Sequence, residues 1–196
     1  MKYLFRPDEL KVGVRGAVCG LDHLSCQRIE LNDDQAAHSI NTGPEEVVLV
    51  CISGEADYDY EGKRGTVQFK DFLYVPWQRQ ITLRADRDAV VMRIGANCDR
   101  ETEFAHIRFA DVAGDPSKHQ VFGSAEINSL RDVYMVITDK FDASRLLVGI
   151  GQGSPGGWTV WPPHEHGDEK EELYVYFDMG EAFSVQCIYA TLDTPL

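Results

Sequence analysis

The sequence lacks long apolar runs and clusters of basic residues. Val47 to Ile52 is an apolar stretch of strand length, far short of the roughly 20 residues that cross a bilayer as a helix. Lys and Arg total 19 against 32 Asp and Glu, giving a net charge of −13, and basic residues cluster no more densely than at Lys63-Arg64. An acidic surface repels phosphate backbones. The composition therefore predicts a protein with neither a membrane nor a nucleic acid as its partner.

The sequence also has no C-x-x-C pair, and its first residues do not show the features of a signal peptide. Because the five cysteines are scattered without a C-x-x-C pair, they indicate neither a disulfide framework nor a thiolate zinc site, and we expect them to be reduced and mostly buried. The first eight residues lack the apolar core and small-residue cleavage site of a signal peptide, which predicts a cytoplasmic location. The cysteines are Cys19, Cys26, Cys51, Cys98 and Cys187.

Helical periodicity is scarce, and short β-prone segments separated by Gly, Asp, Asn or Pro predict an all-β fold. We expect two blocks of strands, at 1–115 and 131–196, joined by a linker at 116–130. Strands predicted in the first block include Glu46 to Ile52, Ala56 to Tyr60 and Asp71 to Pro76. Strands predicted in the second block are Val133 to Ile137, Leu146 to Ile150, Trp158 to Trp161, Glu172 to Phe177 and Phe183 to Tyr189.

The strongest chemical signal is His164-x-His166, followed by an acidic stretch. Residues two apart on a strand point to the same face, about 6.7 Å apart along the strand, so the two imidazoles can converge on one ion. A carboxylate from the next strand would complete a set of three ligands. Nitrogen and oxygen donors without thiolate suit Zn, Mn, Fe or Ni, and the spacing does not choose among them.

The motif resembles that of a known superfamily. Gly157, His164-x-His166, a Glu at 171 or 172 and Gly180 resemble the first motif of the cupins, and Asp71 to Pro76 resembles the start of their second motif. The run from Pro162 to Met179 is more closely similar to the bicupin uronate isomerases, which act on 5-deoxy-glucuronate in myo-inositol catabolism or on 5-keto-4-deoxyuronate. The resemblance implies two cupin-type jelly-roll β-barrels in tandem, the first without a metal site and the second carrying the motif.

Carried over residue by residue, the resemblance implies that His164, His166 and a glutamate are metal ligands. Glu171 leaves the more usual four-residue gap after His166, whereas Glu172 leaves five. Strand parity favours Glu172, which would share a face with Tyr174 and Tyr176, and Glu171 stays the alternative. The implied ion is divalent, with zinc as the first choice and Mn, Fe or Ni as alternatives.

The chain departs from the family pattern at both possible sites. No histidine follows His166, although family members supply a fourth ligand from a second motif, so we expect a truncated member with an incomplete second barrel and weaker metal binding. In the first block, His38 and Glu45 copy part of the motif, but Ile40 stands where its second histidine belongs. We therefore expect the first barrel to be structural.

The resemblance implies a metal-dependent aldose–ketose isomerase of a deoxy-uronate, with 5-deoxy-glucuronate as the first choice of substrate. The partner would be this small sugar acid, and a homo-oligomer is an open possibility. A non-catalytic sugar-binding or regulatory bicupin and a cupin iron dioxygenase are the alternatives. Candidate proton carriers are Glu171, Tyr174 and Tyr176, and candidate partners of the substrate carboxylate are Arg131 and Arg145.

Overall fold

Antiparallel β-sheets with little helix make up the described part of the chain, which confirms the all-β prediction. The computed structural model describes residues 3–16, 21–162, 164, 166, 170–191 and 194–195, so Cys19 lies outside the described residues. Of the cysteines described, Cys26, Cys51 and Cys98 are buried and Cys187 is exposed, each without a disulfide. Across the described ranges, no helix has both the length and the apolar character needed to span a membrane.

Short strands follow one another along the chain. They are β1 (Val14–Gly16), β2 (Leu21–Leu31), β3 (Ala37–Asn41), β4 (Glu45–Ser53), β5 (Ala56–Tyr60), β6 (Lys63–Val67), β7 (Phe72–Val75), β8 (Gln80–Arg84), β9 (Ala89–Asn97), β10 (Ala105–Ile107), β11 (His119–Phe122), β12 (Arg131–Ile137), β13 (Val148–Gly153), β14 (Tyr189–Thr191) and β15 (Thr194–Pro195). Within the described ranges they are interrupted by one α-helix, α1 (Phe109–Ala113), and by 3-10 turns at Pro7–Leu10 and Ala125–Ile127.

The first ten strands form two sheets, a six-stranded sheet in the order β1-β2-β9-β4-β7-β10 and a four-stranded sheet in the order β3-β8-β5-β6. Apolar side chains from both sheets form one core, and alternate residues of β4 (Val47, Leu49 and Cys51) point into it. This arrangement is the jelly-roll expected for the first block.

The other face of the six-stranded sheet is covered by the second block. Val48, Val50 and Ile52 of β4 pack in a second apolar cluster with Ile137 and Ile150, which come from β12 and β13. Strand β4 is therefore buried on both faces, which explains why Val47 to Ile52 reads as a continuous apolar run and not as an alternating one. Strands β12 and β13 of the second block form a three-stranded sheet with β11, and β14 pairs with β15.

The predicted strands of the second block are only partly correct. Strands β12 and β13 match two of them, but Trp158 to Trp161, Glu172 to Phe177 and 183–188 form no β-ladder with the described residues. The segment at 171–178 still alternates between partly buried and exposed residues, and Leu173, Val175 and Phe177 pack on the second apolar cluster. Side-chain packing thus holds this segment extended without a neighbouring strand.

The division of the chain into two domains stays a prediction. The predicted linker, 116–130, contains β11.

A buried carboxylate joins the two blocks. Glu46, on β4, is fully buried, and it accepts hydrogen bonds from the backbone N–H groups of Ser144, Arg145 and Leu146 at 2.6, 2.6 and 2.7 Å. The Tyr74 hydroxyl donates to the same carboxylate at 2.5 Å. Four donors satisfy a charge that would otherwise be costly to bury, so the segment before β13 is held against the first sheet.

Replacing Glu46 with glutamine tests this contact. We expect Glu46→Gln to lower the free energy of unfolding by about 2–3 kcal/mol, because an uncharged amide cannot satisfy three backbone donors and a phenol. Urea denaturation, with the midpoint and slope fitted separately, measures the change. Glu55→Gln removes the same charge from an exposed side chain and should leave the midpoint nearly unchanged. Equal midpoints for the two variants would contradict the role given to Glu46.

Candidate metal centre

Three of the side chains that the sequence singles out lie together in the structure. His164, His166 and Glu172 each offer one ligand atom, and these atoms lie within 4.8 Å of one another. The two imidazole rings meet edge to face with their centroids 5.2 Å apart, and His166 Nε2 lies 3.0 Å from Glu172 Oε1. Two nitrogen donors and one oxygen donor at this spacing fit a divalent first-row ion.

The hydrogen bonds of the two ring systems differ in what they leave free for an ion. His164 Nδ1 lies 2.9 Å from the Pro162 carbonyl oxygen, which can only accept, so Nδ1 carries the proton and Nε2 keeps its lone pair. A second ring nitrogen bonded to a backbone carbonyl is the usual arrangement around metal-binding histidines. His166 Nε2 donates to Glu172, so this proton would have to leave before the same atom could bind an ion.

Tyr174 lies beside the cluster, on the face of the extended segment that carries Glu172. Its hydroxyl donates to Glu172 Oε2 at 2.8 Å. Partial burial, the hydrogen bond and the charge of Glu172 all raise the pKa of Tyr174, so the phenol is protonated at neutral pH. Further along this face, the Tyr176 hydroxyl donates to Gln186 Oε1 at 2.5 Å, and burial raises the pKa of Tyr176 as well.

Glu171 points away from the cluster. Its Oε1 accepts the N–H of Asp22 at 2.5 Å, and its Oε2 accepts those of His23 and Leu24, each at 2.9 Å. Burial acts to raise the pKa of Glu171, but the three backbone donors outweigh it, so the net pKa lies below the ordinary glutamate value. Both carboxylate oxygens are therefore engaged on the opposite face from Glu172.

The two arginines proposed to bind the substrate carboxylate both donate hydrogen bonds to other protein groups, at separate positions in the fold. Arg131 donates to the carbonyls of Ser129 and Trp161, both at 3.0 Å, and the second bond ties β12 to the chain just before Pro162. Arg145 donates to Asp99 Oδ2 at 2.6 Å, in the contact between the two blocks. A role for either arginine in binding a substrate carboxylate stays a prediction.

His38 and His119 both have protein partners. In the first block, the His38 ring lies 2.9 Å from the Gln35 amide nitrogen, and Glu45 pairs with Arg93 at 2.5 Å. In the predicted linker, His119 Nε2 lies 2.6 Å from Oδ1 of Asp132, which belongs to the second block. The sequence did not reveal this last pair, because it joins neighbouring strands whose pairing a local pattern does not specify.

A jelly-roll barrel followed by a His-His-Glu cluster defines a cupin-type protein. The family model described as "KduI/IolB family" matches residues 4–195, and the chain belongs to this family. Among solved structures, the chain is similar to an IolB-like protein from Salmonella typhimurium LT2, with a TM-score of 0.57 and 16% identity over 70% of this chain and 53% of that chain. This likeness supports the fold.

Curated relatives share the family at low identity. Two uronate ketol-isomerases of Rhizobium meliloti (strain 1021) are similar to this chain. The protein named 4-deoxy-L-threo-5-hexosulose-uronate ketol-isomerase 2 is 26% identical over 145 residues, which cover 71% of this chain and 49% of the relative. Isomerase 1 of the same name is 29% identical over 143 residues, with 70% and 49% covered. The chain thus spans about half the length of the curated relatives it matches.

The arrangement of His164, His166 and Glu172 leads to a prediction about the affinity for Zn²⁺. We expect Glu172→Gln to weaken Zn²⁺ binding by more than about 100-fold, because the carboxylate supplies the only anionic ligand of the three. Isothermal titration calorimetry measures the affinity. Asp178→Asn removes the same charge from an exposed residue on the same face, whose carboxylate lies 3.8 Å from Lys70, and it should bind Zn²⁺ as the unchanged protein does. Equal weakening in both variants would point to a general charge effect.

Proposed function

We propose that this chain takes part in the metal-dependent aldose–ketose isomerisation of a deoxy-uronate. Membership of the KduI/IolB family and the names of the curated relatives support the reaction class and the sugar acid. The observation that carries the metal requirement is the convergence of His164, His166 and Glu172 within 4.8 Å. The proposed substrates are 5-deoxy-glucuronate, as the sequence resemblance implies, and 4-deoxy-L-threo-5-hexosulose-uronate, after the names of the relatives.

The three side chains would hold a divalent ion, with zinc as the first choice. Moving a proton between C1 and C2 of a sugar creates an enediolate, and a bound divalent cation would supply Lewis-acid stabilisation of that negative charge. The Pro162 carbonyl keeps His164 in the tautomer with a free Nε2. Glu172 holds His166 through one oxygen and Tyr174 through the other, so its carboxylate couples the ligand set to a phenol.

Tyr174 is the proton carrier that the geometry favours among the three candidates. Its hydroxyl carries a proton and lies 2.8 Å from Glu172 Oε2, so it is placed to donate to an oxyanion that develops beside the ion-binding carboxylate. Glu171 has both oxygens occupied by backbone donors, and the Tyr176 hydroxyl is directed to Gln186. Tyr174 therefore acts in this proposal as the general acid, next to the ion-binding carboxylate.

Proton NMR of each deoxy-uronate with the Zn²⁺-loaded chain tests the proposed reaction. We expect the ketose signals to appear with added Zn²⁺, to disappear after chelation, and to be absent with His164→Ala. Substrate that binds, as seen by line broadening, but is not converted would instead support a sugar-binding or regulatory bicupin. Conversion that requires Fe²⁺ and consumes oxygen would support a cupin dioxygenase.

Removing the Tyr174 hydroxyl tests its role separately from metal binding. At saturating Zn²⁺, we expect Tyr174→Phe to lower kcat by about 100-fold or more, since general acid–base catalysis contributes factors of about 10² to 10⁴. Stopped reactions analysed by NMR give kcat, and calorimetry gives the affinity for Zn²⁺. Tyr176→Phe removes a hydroxyl from the same face two residues away and should have a much smaller effect. A normal kcat for Tyr174→Phe would assign the proton transfer to another group.

A further inference from the structure

The segment that carries Glu172 obtains its register from side chains, because no strand of the described residues pairs with it. Residues 170–188 form no β-ladder, although residues 171–178 alternate between partly buried and exposed positions. In such a segment, a shift of one residue would move every side chain to the opposite face. It would exchange Glu172 for a neighbour at the metal cluster.

Apolar packing and the hydrogen bonds of Glu171 both oppose that shift, and of these two contacts only the hydrogen bonds are directional. Leu173, Val175 and Phe177 pack on the second apolar cluster, which fixes the buried face but tolerates small displacements along the chain. Glu171, by contrast, accepts three consecutive backbone N–H groups from Asp22, His23 and Leu24 at the beginning of β2. Charge-assisted hydrogen bonds to three amides in a row define both the position and the rotation of the residue that accepts them.

We propose that Glu171 is a positioning residue for the metal centre, which it serves by clamping the chain at the start of β2 so that Glu172 faces His164 and His166. This role deepens the proposed function and rests on the metal centre proposed there. Glu171 is not a ligand in this account, because its two oxygens are bound to backbone donors on the opposite face. Glu171 acts on the ion only through the adjacent residue.

The clamp also explains why adjacent glutamates occur after His166. One carboxylate binds a backbone segment that lies 147–149 residues earlier in the chain, and the next one meets His166 at 3.0 Å. Exchanging either carboxylate for an amide therefore impairs the same centre by two distinct routes. Glu172→Gln removes a ligand, whereas Glu171→Gln leaves all three ligands present but loosens their arrangement.

Zn²⁺ titration of the Glu171→Gln chain tests the positioning role. We expect Zn²⁺ affinity to fall by about 10- to 100-fold, the range found when groups that orient metal ligands are removed. Glu181→Gln is the matched control, because it removes the same charge from an exposed residue in the same part of the chain. Circular dichroism checks that each variant is folded under the titration conditions. Should Glu171→Gln fail to fold, Glu171→Asp keeps the charge on a shorter side chain and should weaken Zn²⁺ binding several-fold.

Co²⁺ in place of Zn²⁺ gives a readout that a loss of stability alone does not move. The visible spectrum of bound Co²⁺ depends on its ligand set, so we expect saturated Glu171→Gln to give a spectrum shifted from that of the unchanged chain, and saturated Glu181→Gln to give the unchanged spectrum. Unaltered Zn²⁺ affinity and Co²⁺ spectrum in Glu171→Gln, in a chain where Glu172→Gln abolishes binding, would overturn the role of Glu171 alone. An unchanged chain that binds neither ion would overturn the metal centre itself and the positioning role with it.

Discussion

A glutamate carboxylate that accepts three successive backbone N–H groups is the contact on which the arrangement of the second block depends. Glu46 makes this contact with residues 144–146 from a fully buried position on β4. Burying a charge is costly unless it is fully hydrogen-bonded, and here the bonds come from a distant segment and from Tyr74. The apolar outer face of the six-stranded sheet packs against the second block, while the carboxylate specifies where the segment must lie.

Glu171 makes the same kind of contact, but here the carboxylate belongs to the second block and the amides to the first. Glu46 lies in the first block and binds amides of the second, whereas Glu171 lies in the second block and binds amides of the first. The candidate metal centre is built next to this second contact, where Glu172 meets His166 and Tyr174. The proposed chemistry thus relies on a segment that is oriented by its contact with the first barrel. The first barrel therefore has a structural role in this proposal.

Local patterns predicted much of this structure. The strands of the first barrel follow from short β-prone segments, and the burial of β4 follows from its continuous apolar run. Strand parity also predicted that Glu172 and Glu171 lie on opposite faces, as they do in the structure, while the choice of Glu172 as a ligand stays a prediction. The segments at 172–177 and 183–188 were wrongly predicted as strands, since a ladder needs a partner that the local sequence does not encode. The contacts of Glu46 and Glu171 were missed because their donors lie about 100 and 150 residues away.

The most direct test of the metal centre is anomalous diffraction at the zinc edge from crystals of the chain grown with Zn²⁺. A single strong peak is predicted in contact with His164 Nε2, His166 Nε2 and a Glu172 carboxylate oxygen, while Glu171 remains bound to the amides of Asp22, His23 and Leu24. A peak coordinated by Glu171 in place of Glu172, or zinc bound only at sites that exclude both histidines, would contradict the account.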